Sequence, residues 1–149
     1  MFSYIDTSLV LSILFEEDTL EESISLLNAS KSKFSSTITI AECYNNLNKV
    51  KLMNPSQKIE LWYSTKVKEL EKILSIFNFK VYDKDIVNLI KTNINLSGSK
   101  TLDSIHLATA MYIKIKTDSE IKILSYDKKM NRIGKKMGLE TIIGEDKLL

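Results

Sequence analysis

Short β-type runs alternate with helical stretches along this chain, and that alternation restricts its fold more than any other feature. Strands separated by helices cannot pair as tight hairpins; the crossover returns the chain to the same end of the sheet, so neighbours run parallel. Phe2 to Ile5 is the first such run, ending at Asp6, and helical patterns follow over Ser8 to Phe15 and Leu20 to Ala29. Phe34 to Thr37 reads as the next strand. Thr39 then opens a helix to about Met53, with Ala41, Tyr44, Leu47 and Val50 or Lys51 at helical spacing. Pro55 suits the first turn of a further helix, whose stripe of Ile59, Trp62 or Tyr63, Val67, Leu70 and Leu74 runs to about Phe77. Phe79 to Tyr82 reads as a strand, Asp85 to Asn93 as a helix, Ser97-Gly98-Ser99 as a loop and Thr101 to Lys116 as a helix. Ile121 to Ser125 is the clearest buried strand, Lys128 to Met137 a helix stopped by Gly138, and Leu139 to Ile143 a last strand. The order β α α β α α β α α β α β predicts an α/β fold with a mostly parallel sheet.

Composition narrows the class. The chain has 149 residues, 44% hydrophobic and 27% charged, with one Pro and four Gly. That suits a single domain over 1–149 and excludes a disordered or collagen-like chain. One cysteine, Cys43, leaves no intrachain disulfide and no all-cysteine metal site. The apolar run Leu9 to Phe15 is seven residues, against about 20 for a spanning helix, and Asp6 rather than Lys or Arg precedes it. No membrane or export segment is expected, and the chain is read as cytoplasmic. Residues 1–30 carry a charge of −6 with no base, while the remaining 119 carry 21 bases against 13 acids. Such a basic remainder suits a polyanion or simply a solvated surface. Only Arg132 among the 21 bases is Arg, so bidentate arginine readout of nucleobases is not expected.

Four acids fall where parallel sheets place ligands, outside the carboxyl ends of strands. Asp6 ends the first strand and Asp127 follows the Ile121–Ser125 strand; Glu42 lies one turn into the Thr39 helix, and Asp103 near the start of the Thr101 helix. Gathered without a cation, they would repel: two carboxylates about 4 Å apart cost around 1 kcal/mol in water and around 4 at an effective dielectric near 20. A hard divalent ion such as Mg²⁺ or Mn²⁺ removes that repulsion, activates a water and shields an incoming phosphate. Each acid also has an ordinary reading. Thr39-Ile40-Ala41-Glu42 fits a capping box, Asp6 and Asp127 suit N-caps, and Asp103 suits a helix N-terminus through the dipole.

These segments together resemble the PIN-domain family. Tyr4-Ile5-Asp6-Thr7-Ser8 is similar to the opening of PIN domains, Thr39-Ile40-Ala41-Glu42 to their second acidic motif, and Leu102-Asp103-Ser104-Ile105-His106-Leu107-Ala108-Thr109-Ala110 to the third. Ile123-Leu124-Ser125-Tyr126-Asp127-Lys128-Lys129-Met130-Asn131, followed by Lys136-Met137-Gly138-Leu139-Glu140, resembles the fourth, with Ser125 where Thr is frequent. Order, spacing and length resemble VapC-type toxins over nearly the whole chain. The resemblance implies a three-layer α/β/α sandwich and a Mg²⁺- or Mn²⁺-dependent endoribonuclease, often paired with a VapB-like antitoxin and often a homodimer. It carries the metal-site role onto Asp6, Glu42, Asp103 and Asp127, and a supporting role onto the hydroxyls of Ser8 and Ser125. It also leaves room for a housekeeping or DNA-directed nuclease, or for a non-catalytic metal-binding signalling domain.

Other residues invite roles they are not assigned. His106 follows Asp103 by three residues and shares its helix face, but a lone His among Leu107, Ala108 and Ala110 reads as a packed side chain. Cys43 adjoins Glu42 yet faces elsewhere on a helix, so no catalytic thiol is expected. The stripe from Ile59 to Leu74, with Trp62 and Tyr63, is either core or a seam for an antitoxin helix or a second copy. Lys128, Lys129, Arg132, Lys135 and Lys136 suit an RNA backbone or a solvated helix face equally.

Overall fold

The computed structural model describes residues 1–142, and within them the chain is a three-layer α/β/α sandwich. Five parallel strands, β1 (Phe2–Ile5), β2 (Ser32–Ser36), β3 (Asn78–Lys80), β4 (Ile121–Leu124) and β5 (Glu140–Thr141), form one sheet in the order β3-β2-β1-β4-β5. The expected element order holds, and the sheet is wholly rather than mostly parallel. Seven α-helices connect the strands among the described residues: α1 (Thr7–Leu14), α2 (Leu20–Ala29), α3 (Thr37–Met53), α4 (Ile59–Leu74), α5 (Lys84–Thr92), α6 (Thr101–Thr117) and α7 (Lys128–Lys136).

Alternation along the two central strands builds the two cores. Tyr4, Ile121 and Ile123 face α5, α6 and α7, packing on Ile86, Leu107 and Ile133; Ile5 and Leu124 face the other layer, with Leu9, Leu47 and Leu70. Trp62 and Tyr63 lie half-buried against this second core, and Trp62 stacks on Phe15 with ring centroids 6.4 Å apart. The inner edge of the α4 stripe is therefore intramolecular core.

Several boundaries depart from the sequence reading. β2 runs Ser32–Ser36 rather than Phe34 to Thr37, because its pairing with β1 (Phe2↔Ser32 to Tyr4↔Phe34) recruits residues of weak strand preference. α3 opens at Thr37, two residues early, with the Ser36 hydroxyl accepting from the Ile38 amide at 3.1 Å. α4 begins at Ile59; Pro55 lies in the preceding turn instead of the first helical turn. β3 ends at Lys80, since Asp83 caps α5 by accepting from the amides of Asp85 and Ile86. Gly138 does stop α7: its φ of +81° is the left-handed turn that favours glycine, and Leu139 N–H returns to the Gly134 carbonyl at 3.0 Å. The last strand covers Glu140–Thr141, shorter than the expected Leu139 to Ile143, and Ile143 lies outside the described residues.

The topology sets the site. From central β1 the chain builds outward through β2 and β3, then crosses to β4 and β5 on the other side. The carboxyl ends of β1 and β4 therefore flank the point where the winding reverses, the usual crevice of an open parallel sheet.

Candidate functional site

Asp6 leaves β1 beside β4, tied by its own amide to the Leu124 carbonyl at 3.1 Å. It is 4% exposed, a carboxylate that needs partners to be buried. Ser8 and Ser125 provide them, donating their hydroxyls to Asp6 Oδ2 at 2.7 and 2.8 Å, and the Ser8 amide reaches the same oxygen at 3.3 Å as the α1 cap. The hydroxyl oxygens in turn accept the Tyr126 amide (Ser8, 3.0 Å) and the Asp127 amide (Ser125, 3.1 Å). Both serines named from the sequence thus join Asp6 to the turn that carries Asp127.

Glu42 arrives from α3. The Ser35 Oγ lies 2.7 Å from both the Ile5 carbonyl and the Thr39 Oγ1, pinning the first turn of α3 against β1. The capping-box reading fails here: with Ser36 as the cap, Glu42 sits a turn deeper and turns inward. Its Oε1 accepts the Thr7 hydroxyl at 2.9 Å and the His106 Nε2–H at 2.5 Å. Burial works to raise the Glu42 carboxyl, but the hydrogen bond and charge of His106 and the Thr7 hydroxyl outweigh it and hold it below its usual range.

Asp103 projects from the first turn of α6 and Asp127 caps α7, accepting from Met130 N–H at 2.9 Å. The capping readings of Asp6 and Asp127 are thus correct, and they coexist with the clustering. Burial, then the charges of Asp127 and Asp6, raise the Asp103 carboxyl above its usual range, with Glu42 adding to the effect. Four acids far apart in sequence therefore share one electrostatic neighbourhood.

Sequence reasoning undervalued three side chains. His106 is 2% exposed, a packed histidine as expected, yet it also bridges Tyr4, whose hydroxyl lies 2.6 Å from Nδ1, and Glu42, with Asp6 Oδ1 3.7 Å from Nε2. Burial lowers its basicity, but Glu42 and the charges of Asp6 and Asp103 more than compensate and raise it. Asn131, wholly buried, donates to the carbonyls of Ser125 and Asp127 at 2.8 Å each and so fixes the turn between them. Thr7 is the third. The spacing of His106 from Asp103 was the one available signal; Asn131 gave none beyond its place in the fourth motif. Cys43 is buried and its thiol pushed up to about 12 by burial and by the charges of Glu42 and Asp6, which excludes a working thiolate.

Among the described residues, no three His, Cys, Asp or Glu side chains form a group that could hold a metal ion as they stand. The donor chemistry nevertheless fits a hard divalent cation. Hydrogen bonds from described residues crowd one oxygen of each held acid, leaving Glu42 Oε2, Asp127 Oδ2 and both oxygens of Asp103 without a donor, while Asp6 Oδ1 has only the ion-pair contact to His106 Nε2 at 3.7 Å, beyond hydrogen-bond distance. An open, all-oxygen set is what Mg²⁺ accepts alongside retained waters.

Two cavities differ in their distance from the acids. One of about 370 Å³ runs between the Ile94–Gly98 segment and α7, edged by Lys129, Arg132 and Lys136, next to the segments that deliver Asp103 and Asp127. A larger one of about 810 Å³ lies at the tip of the α3–α4 hairpin, lined by Leu52, Pro55 and Ile59. It is about 15 Å along α3 from Glu42 at the helical rise, too far to serve the acids.

A sheet of this order, with acids gathered at its winding reversal, defines an open, parallel α/β fold, and comparison assigns the family. The PIN domain model matches residues 3–136, and the chain belongs to the PIN domain family. Its fold is similar to that of a toxin–antitoxin complex from Klebsiella pneumoniae, at 20% identity and TM-score 0.62 over 87% of this chain and 89% of that one. It is also similar to VapBC2 from Rickettsia felis bound to a DNA fragment from their promoter, at 16% identity and TM-score 0.62 over 95% and 97%. A Pyrobaculum aerophilum protein matches at 14% identity and TM-score 0.58 over 95% and 91%. No curated protein matches the chain in sequence. No helix among the described residues is long and apolar enough to cross a membrane.

Proposed function

We propose that the chain is a Mg²⁺- or Mn²⁺-dependent endoribonuclease, the toxin of a VapBC-type pair, with Asp6, Glu42, Asp103 and Asp127 as its metal-binding acids. One observation carries this reading: each buried or capping acid takes its hydrogen bonds on one oxygen, and Asp127, Asp6 and Glu42 are near enough for their charges to raise the Asp103 carboxyl. A bound cation would neutralise phosphate charge and activate water for phosphodiester hydrolysis. The residues of the chain do the holding. Ser8 and Ser125 fix the rotamer of Asp6, Thr7 and His106 fix Glu42, and Asn131 fixes the turn of Asp127. The lysines edging the 370 Å³ cavity offer a track for RNA phosphates on the approach to the acids.

A partner surface supports the toxin assignment. Leu52, Met53 and Leu61 expose 81%, 72% and 75% of their area at the α3–α4 hairpin, an apolar group of the kind a VapB-like antitoxin would cover. The toxin–antitoxin complexes among its structural relatives agree with this, and a homodimer and a cytoplasmic setting complete the reading.

The test is cleavage of a pool of structured RNAs by wild type and Asp103→Asn in Mg²⁺, Mn²⁺ and EDTA. Metal-dependent cutting that the substitution abolishes is expected. Cutting that persists in EDTA, or in Asp103→Asn at the wild-type rate, overturns the assignment. If neither protein cuts, calorimetric titration with Mn²⁺ decides, and absence of binding returns the four acids to helix capping.

A further inference from the structure

We infer that His106, oriented by Tyr4, is a positioning residue that presents a single oxygen of Glu42 to the cation. The inference rests on the metal-centre reading above and assigns a role within it to two residues outside the four acids. Tyr4 is fully buried on β1 and His106 is 2% exposed on α6, so each polar atom must be satisfied inside the protein. A carboxylate only accepts, so the short 2.5 Å contact to Glu42 Oε1 places a proton on His106 Nε2. In the neutral ring Nδ1 is then the acceptor, and the Tyr4 hydroxyl at 2.6 Å donates to it. The chain of donors runs from the strand, through the ring, to the acid. Thr7 adds its hydroxyl to the same Oε1 at 2.9 Å.

Glu42 has three side-chain torsions and comes from a helix flank that leaves it half-exposed. Without these two donors nothing described would hold its carboxylate. With them, Oε1 is occupied and Oε2 is the oxygen left to ligate. The second contact of the ring, Nε2 to Asp6 Oδ1 at 3.7 Å, places it between the two acids. The arrangement parallels the serines on Asp6 Oδ2, so both Asp6 and Glu42 would bind through one oxygen.

The experiment measures Mn²⁺ affinity of the full chain directly, from the electron paramagnetic resonance signal of free Mn²⁺, for wild type, His106→Leu, His106→Gln, Tyr4→Phe and Asp103→Asn. Outer partners of metal ligands typically change affinity by about 10- to 100-fold. His106→Leu is expected to weaken binding by that much, His106→Gln to recover most of it through an amide donor, and Tyr4→Phe to weaken it several-fold. A folded His106→Leu with wild-type affinity overturns the inference. Should circular dichroism show that His106→Leu does not fold, Tyr4→Phe decides, and unchanged affinity there overturns it equally. Asp103→Asn separates the two levels: if it weakens binding while the His106 and Tyr4 variants do not, only the positioning role falls. If wild type binds no Mn²⁺, the metal-centre reading falls and takes this inference with it.

Discussion

The four acids divide into two unlike walls. Asp6 and Glu42 sit over the sheet, each gripped by two side-chain donors on one oxygen; Asp103 and Asp127 stand on the rim, one with no hydrogen bond from described residues and the other using one oxygen as a helix cap. The buried wall is organised before any cation arrives, because its strands and the hydroxyls of Thr7, Ser8 and Ser125 fix it. The rim wall carries the unrelieved charge, since burial and its acidic neighbours raise Asp103. A site made this way holds its shape from one side and its electrostatic demand for a cation from the other. Preorganisation and repulsion are carried by different residues, so they can be separated by substitution.

The largest effect should come from breaking either wall outright. If the acids hold a catalytic ion as proposed, Asp6→Asn or Asp103→Asn is expected to lower turnover by about 100-fold or more, since one ligand of such an ion is worth several kcal/mol. The two should differ in stability. Asp103→Asn removes repulsion and is expected to raise the metal-free melting temperature slightly, by no more than about 2 °C once exposure is discounted. Asp6→Asn weakens the acceptor of two serine hydroxyls and should lower it. Thermal scans with and without Mg²⁺ check this; equal shifts in both variants would erase the distinction between the walls.

A smaller effect is expected from the supports of the buried wall. Ser125→Ala removes the 2.8 Å donor to Asp6 Oδ2 and leaves the Asp127 amide without its acceptor. Such a loss costs about 1–3 kcal/mol of stability, and Mn²⁺ affinity should fall about tenfold. Ser125→Thr keeps the hydroxyl and should keep both. Titration calorimetry on the two variants sharpens the comparison, since no described side chain donates to a rim carboxylate.

How much of this was legible in the sequence depends on the distance between the groups concerned. All four acids, the element order and the stop at Gly138 follow from local signals, strand ends, helix periodicity and a glycine stop, whereas the two serines follow only from the family resemblance. What the sequence misdirects is pairing. Thr39 and Glu42 have capping-box spacing, but Ser36, held at the end of β2, took the cap and released Glu42 to face a histidine 64 positions away. His106 sits on a helix rich in Leu and Ala, and periodicity can say that such a face is buried, not what it touches. Asn131 acts on two carbonyls in a turn whose path is set by the β1–β4 pairing. Local chemistry places residues at the crevice; the sheet decides which of them meet.

The two walls should also respond oppositely to pH in the metal-free protein. Glu42 is held below its ordinary value of 4.5, so its contribution is present above that value and lost as pH falls through the depressed one. His106 is raised above 6.5, so its contribution is complete below 6.5 and lost as pH rises through the raised value. The buried pair therefore stabilises most between about 4.5 and 6.5. Asp103, raised above 3.8, does the reverse of Glu42: its effect favours the fold at low pH and declines as it ionises. Denaturation midpoints across pH 4 to 9 should show a broad maximum that His106→Gln flattens on its alkaline side and Asp103→Asn leaves in place.

The smallest expected effect tests whether Asp127 truly has two employments. As an N-cap it accepts the Met130 amide through Oδ1, a task Asn performs about as well, whereas Ala costs about 1 kcal/mol. As a rim acid it contributes charge and Oδ2, which Asn cannot replace. Asp127→Asn should therefore leave the melting temperature within error of wild type while weakening Mn²⁺, and Asp127→Ala should lower both. If Asp127→Asn binds Mn²⁺ as wild type does, Asp127 is a cap and nothing more. The rim wall would then reduce to Asp103, and the repulsion that raises its carboxyl would come from a neighbour with no part in holding the cation.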